Sequence, residues 1–183
     1  MTAFVALFSG INVGGNRIVK MAELRAFFEG LGFGDVTSYV QSGNVVFSAE
    51  DGDAAGVAAR LEAAFETRWG FHSRIMVRDG EWFERLVREN PYPEAAADHT
   101  KLHAYVLERE PTAGEAARLA EKCTGPERFV IEGDVLYLHA PEGLGRSKFA
   151  ALIPRILKVP ATARNWRSVL ALSEMARGKG TGS

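Results

Sequence analysis

The sequence predicts an α+β protein built from two pseudo-duplicated βαββαβ halves, with antiparallel sheets covered by helices and a further helix at the C-terminal end. Three observations along the 183 residues carry that expectation. Hydrophobic periodicity alternates between strand-like runs and helical stripes. Turn-forming residues split two pairs of strands into hairpins. The same order of elements then occurs a second time. Strand, helix, hairpin, helix, strand is the split-βαβ or ferredoxin-like arrangement, in which two helices cover one face of a four-stranded sheet.

Residues 4–8 are a short, wholly apolar run that reads as a buried first strand. Residues 21–31 place apolar side chains three and four apart and close on Gly30 and Gly32, the pattern of a helix and its stop. Residues 36–41 and 45–47 are β-branched and aromatic runs on either side of Ser42, Gly43 and Asn44, so they form a hairpin. A stripe at positions 57, 58, 61, 64, 65 and 69 makes 54–69 a helix, and 73–77 returns to a strand.

A connecting helix over 79–89 ends at Asn90, Pro91 and Pro93. The order then recurs as a strand at 102–107, a helix at 113–123 and a hairpin of 128–131 with 135–139 around Gly133 and Asp134. Residues 148–157 are helical despite Pro154, 161–165 are the last strand, and 166–176 are the terminal helix. No clear residue-level repeat accompanies this, so the duplication is one of topology. The expected division is 1–79 for the first half and 80–176 for the connecting helix and second half. The tail at 177–183 has nothing to bury and is expected to be disordered.

Composition narrows the function classes. The mix of 46% apolar and 25% charged residues is that of a soluble globular protein. Cys123 is the single cysteine, which rules out an intrachain disulfide and a cysteine-based zinc site and favours a reducing cytoplasm. The apolar start lacks a basic lead and lasts about eight residues, too short for a signal or membrane helix, so no membrane association is expected. The net charge of −1 is unevenly spread. Residues 141–183 hold eight Lys/Arg against two Asp/Glu, and the rest of the chain is correspondingly acidic. That asymmetry fits an acidic partner such as a nucleotide or nucleic acid, or simply a solvated basic helix.

Two motifs carry most of the polar chemistry, one near each end. In the first, Asn12, Gly14, Gly15, Asn16 and Arg17 lie between strand and helix. Successive amides there can form an anion-binding concavity, Arg17 can bind an oxyanion in bidentate fashion, and the helix N-terminus near Lys20 adds a positive end. The alternative is a loop shaped by backbone geometry alone, with Asn12 capping nearby amides. Gln41, Ser42 and Asn44 at the hairpin tip are explained by turn chemistry, Gln41 least easily. In the second motif, Arg164, Asn165, Trp166 and Arg167 combine two guanidiniums, an indole and an amide, the vocabulary of base stacking and phosphate contact. The same residues also read as a helix N-cap at Asn165, an apolar plug at Trp166 and a frame of ion pairs. Residues 145–148 offer either a small basic loop or a helix entry with Ser147 near its cap.

Four histidines, at 72, 99, 103 and 139, give no metal pattern. His99 and His103 have a helical spacing but fall at a strand, where that spacing separates the rings by about 13 Å. No serine-hydrolase elbow, Walker loop or dinucleotide fingerprint is present, so no cofactor is expected.

The strings at 10–15 (GINVGG), 20–25 (KMAELR), 31–33 (LGF) and 39–47 (YVQSGNVVF), with 162–169 (TARNWRSV) at the far end, resemble domain-of-unknown-function family 1697 over about residues 3–176. The resemblance implies a bacterial-type cytoplasmic protein of two ferredoxin-like halves and carries no established activity. Members usually have Arg where this chain has Ser9, and often Lys where it has Ala171. An anion site relying on those cations would be weakened here.

The expected function is a binding module for a small anionic or nucleotide-like ligand, or nucleic acid, with the two motifs approaching a common interface. One alternative is an acylphosphatase-like hydrolase, by analogy with a glycine- and arginine-containing loop at the equivalent point of that fold, with Asn12 or Asn44 positioning water. The other is that both motifs are purely structural.

Overall fold

The computed structural model describes residues 1–50 and 52–180. The first unit begins with β1 (Thr2–Phe8), α1 (Met21–Gly30), β2 (Gly34–Tyr39) and β3 (Asn44–Ala49). It continues with α2 (Ala54–Trp69), β4 (Ile75–Asp79) and α3 (Gly80–Arg88). The second unit holds β5 (Leu102–Leu107), α4 (Ala113–Lys122), β6 (Arg128–Glu132), β7 (Val135–His139), α5 (Lys148–Leu157) and β8 (Ala161–Asn165). Each unit has a four-stranded antiparallel sheet, ordered β2-β3-β1-β4 in the first and β6-β7-β5-β8 in the second. Two ferredoxin-like halves are therefore what the chain builds. The long α6 (Trp166–Gly180) begins in the second unit and ends in the first.

β1 is buried from Ala3 to Phe8, which matches a strand with apolar residues on both faces. Alternate side chains point to opposite sides, and Phe4, Ala6 and Phe8 join Leu24 and Phe28 of α1 and Leu61 and Phe65 of α2 in one core. Phe8 meets the rings of Phe28 and Phe65 at 6.2 and 5.3 Å between centroids, the tilted and edge-on geometries that aromatic quadrupoles favour. The second unit repeats the plan with Leu107, Leu136, Leu138, Ile153 and Leu157.

Helix ends follow local chemistry. Asp53 accepts from the Gly56 amide at the start of α2, and Gly70 takes φ +74° just past its end. Thr112 and Glu115 form a reciprocal capping box on α4, and Arg109 grips the Glu115 carboxylate through two 2.9 Å bonds. The Arg109 hydrogen bonds, then those to Thr112, hold that carboxyl down at about 2. Ser147 caps α5, which supports the helix-entry reading of residues 145–148. The exposed Pro154 is tolerated within α5.

Two expectations change. The division falls after Val87 rather than at residue 79, and the chain from Leu170 onward belongs to the first unit. The expected disorder from residue 177 is replaced by helix through Gly180, while residues 181–183 lie outside the described residues. Both changes have one cause, the partners that the end of α6 finds in the first unit. A β-carbon on Gly80 would sit 3.5 Å from that of Ala176, Arg177 lies 3.9 Å from Glu84, and Lys179 donates to the Asp35 carbonyl and the Thr37 hydroxyl. Those last bonds also cover the backbone of the edge strand β2, which a bulge between Gly34 and Thr37 already interrupts.

His103 on β5 is 7% exposed and its Nδ1 has no partner. Burial holds its pKa below the ordinary 6.5, so the folded state keeps the ring neutral. The unfolded chain binds the proton more readily. The contribution to stability is therefore complete above about pH 6.5 and is lost as pH falls through the lower folded value. Urea midpoints measured from pH 7.5 down to 5 should fall more steeply for the native protein than for His103→Leu. Equal slopes would show that this ring does not titrate on unfolding.

Candidate functional site

The loop after β1 holds an unusual backbone. Of the eight residues from Gly10 to Arg17, five have positive φ: Gly10 (+71°), Asn12 (+54°), Gly14 (+59°), Gly15 (+75°) and Arg17 (+51°). Gly14 and Gly15 occupy the centre of a tight turn in which the Asn16 amide donates to the Val13 carbonyl at 3.1 Å. Positive φ at both central residues is the type I′ geometry, which glycine adopts without steric cost. One step out, the Asn12 amide donates to the Arg17 carbonyl at 3.1 Å, so residues 12–17 make a miniature hairpin. Gly14, Gly15, Asn16 and Arg17 are all exposed.

The Asn12 side chain fastens this hairpin to the body. Its Oδ1 accepts from the Val19 amide at 2.8 Å, and its Nδ2 donates to the carbonyls of Val19 (2.9 Å) and Gln41 (2.8 Å). The glycine loop and the β2–β3 turn are thus joined through the Gln41 main chain, while the Gln41 side chain is exposed. In that turn Asn44 is fully buried and donates to the Tyr39 carbonyl at 3.0 Å and the Ser42 hydroxyl at 2.9 Å. Gly43 is required there, since at φ +78° a β-carbon would lie 2.7 Å from both Ile11 Cδ1 and Phe8 Cβ. Val40 beside it is β-branched yet holds φ +50° while 52% exposed. The amides that could position a water, on Asn12 and Asn44, are both committed to protein groups. The expectation of a hydrolytic role for them loses its geometric basis.

Arg17 is exposed, and its guanidinium lies 5.2 Å from the centre of the Phe71 ring, with Nη1 3.9 Å from where a Gly10 β-carbon would be. Among the described residues it pairs with no carboxylate. The cation is held by an aromatic face and remains open to an anion. Just before the loop, the Ser9 hydroxyl is buried with no hydrogen-bond partner, and the Ser9 carbonyl accepts from Ser73 at 2.8 Å. Phe71 is the residue that the sequence reading missed. It follows Gly70 in the loop between α2 and β4, and no local pattern links it to Arg17.

The second motif is placed differently. Asn165 accepts from the Ser168 amide at 2.9 Å, which makes it the N-cap of α6. Trp166 is 2% exposed and tilts against Tyr137 at 6.4 Å, so it offers no face to an incoming base. Arg164 is half-buried and donates to the Thr162 hydroxyl (2.7 Å) and the Ala163 carbonyl (2.9 Å). Burial pushes its pKa down to about 10, leaving it protonated at neutral pH. Arg167 is exposed. The two motifs belong to different units. Among the described residues, no group of three or more His, Cys, Asp or Glu could hold a metal ion, and no helix is long and apolar enough to cross a membrane.

Paired βαββαβ units with a pinned glycine loop define an α+β protein of two ferredoxin-like halves. The chain belongs to the family described as "Protein of unknown function (DUF1697)", whose model matches residues 1–137. That match contains the glycine loop and the β2–β3 turn and stops before the motif at 162–169. A solved structure of the conserved bacterial protein SP0830 from Streptococcus pneumoniae shares the fold, with TM-score 0.67 and 24% identity over 96% of this chain and 98% of that one. No curated protein matches the chain.

Proposed function

We propose that the protein is a cytoplasmic binding module, of bacterial type, for a small anionic ligand seated at the glycine loop. The observation that carries this reading is the exposed Arg17 guanidinium, held over Gly10 by Phe71 without an acidic partner among the described residues. An arginine whose orientation is already set loses less freedom when it takes a carboxylate or phosphate. The left-handed backbone at Asn12 and Arg17 supports the same reading, because such conformations persist only where the surroundings enforce them and they collect at ligand clamps. The Ser9 hydroxyl just before the loop is buried without a hydrogen-bond partner, so this polar group gains nothing from the fold as it stands. A small anion fits better than nucleic acid, since the buried Trp166 is withdrawn from stacking. The lone cysteine is free, which accords with a reducing compartment.

The test is a thermal-shift series with phosphate, acetyl phosphate, a nucleoside monophosphate and a short oligonucleotide at millimolar concentrations and two ionic strengths. Saturation at about 100 times Kd adds about 2.7 kcal/mol to the folded state, a shift of several degrees. Arg17→Ala should abolish the shift and leave the unliganded melting temperature within a degree or two. Absence of any shift, or equal shifts in native and variant protein, would remove the reading. A response to the oligonucleotide alone would replace the small anion with nucleic acid.

A further inference from the structure

On the first unit, α1 and α2 leave a shallow apolar groove of about 680 Å³ that no glycine-loop residue lines. Its lining comes from Phe27 and Leu31 at the end of α1 and from Ala63, Ala64 and Thr67 on α2. Phe27 is fixed by edge-on contacts with Phe65 and Trp69, at 6.3 and 5.0 Å between centroids. The remaining lining residues are Arg60 and Arg68, and both are exposed. Arg60 donates to the Leu31 carbonyl and lies 5.0 Å from the centre of the Phe33 ring, while Arg68 lies 5.6 Å from that of Trp69. Among the described residues neither guanidinium pairs with a carboxylate, and the lining contains none. Eight residues apart on one helix, their α-carbons stand about 12 Å apart along its axis.

We propose that this groove docks an acidic amphipathic helix of a partner protein. Two adjacent apolar side chains on that helix would fill the space between Phe27 and Ala63, and two carboxylates flanking them two turns apart would reach Arg60 and Arg68. The charge pattern selects this occupant. An aromatic-backed guanidinium at each end with an apolar stretch between is the complement of a helix bearing acid, aliphatic pair and acid along one face. Nucleic acid would find two cations and no open stacking face, and a bilayer surface would not need a concave seat.

A fluorescein-labelled alanine-based helical peptide carrying Glu at i and i+7 and Leu at i+3 and i+4 provides the probe, read by anisotropy against the full chain. Binding should weaken with salt, fall by about tenfold or more in Arg68→Gln, and fail when the two Glu are replaced by Lys. Arg60 also supports the end of α1, so the second variant is Ala63→Glu. This exposed position on α2 takes a good helix former and puts an acid into the groove without touching the core. It should abolish binding while the melting temperature stays unchanged. Arg17→Ala should bind the peptide like the native chain, which separates this surface from the anion site. No binding, equal affinity for the Lys peptide, or indifference to both groove variants would overturn the proposal. So would self-association or anionic-vesicle binding that Ala63→Glu breaks while the peptide is ignored.

Discussion

Trp166→Ala is expected to lower the unfolding free energy by about 3–5 kcal/mol, the range for deleting a buried large aromatic side chain. The indole is 2% exposed, stands at the first turn of α6 and packs against Tyr137. No small shift can refill a space of that size in a close-packed interior. A domain has about 5–15 kcal/mol of stability in all, so the variant should be folded only marginally at 37 °C. Chemical denaturation of both proteins measures the difference. A base-stacking role makes the opposite prediction, namely unchanged stability with loss of a ligand. A cost below about 1 kcal/mol would revive that role and contradict the burial described here.

Asn12→Ala should cost about 2–4 kcal/mol. It removes three hydrogen bonds and leaves the amide of Val19, a residue 1% exposed, without its acceptor. Alanine also tolerates φ +54° less well than asparagine. The loop should then come loose from the Gln41 carbonyl, the exchange of the Val19 amide should accelerate, and the anion-dependent thermal shift should weaken. Asn12→Asp keeps the acceptor for Val19 but turns a carboxylate oxygen toward the Val19 and Gln41 carbonyls, so it should not restore native stability. If Asn12→Ala instead loses the ligand response at native stability and native amide exchange, then Asn12 contacts the ligand directly.

Element order was largely legible from the chain because its signals are local. Ser147 and Asn165 read as caps, and each satisfies a helix amide three residues on; Asp53 and Thr112 with Glu115 do the same for α2 and α4, and Gly70 ends α2, though the sequence reading did not single these out. The apolar stripe from 57 to 69 and the all-apolar β1 likewise specify type and burial through periodicity. The motif of the first loop was legible only as vocabulary. Gly14 and Gly15 marked a positive-φ turn, but nothing nearby said that the Asn12 amide would be spent on holding a distant turn in place.

By itself, then, the sequence determined the succession of strands, helices and caps, the glycines of the first loop, the free cysteine and the family to which the chain belongs. These depend on backbone preferences and hydrogen bonds within a few residues. Tertiary structure decided the rest. It seated Arg17 on Phe71, tied Asn12 to Gln41, buried Trp166 and drew α6 onward through Ala176, Arg177 and Lys179 to partners in the first unit. Each of these pairs residues far apart in the chain. Their free energy comes from desolvation and contact that exist only once the sheets have assembled, so no local pattern could announce them.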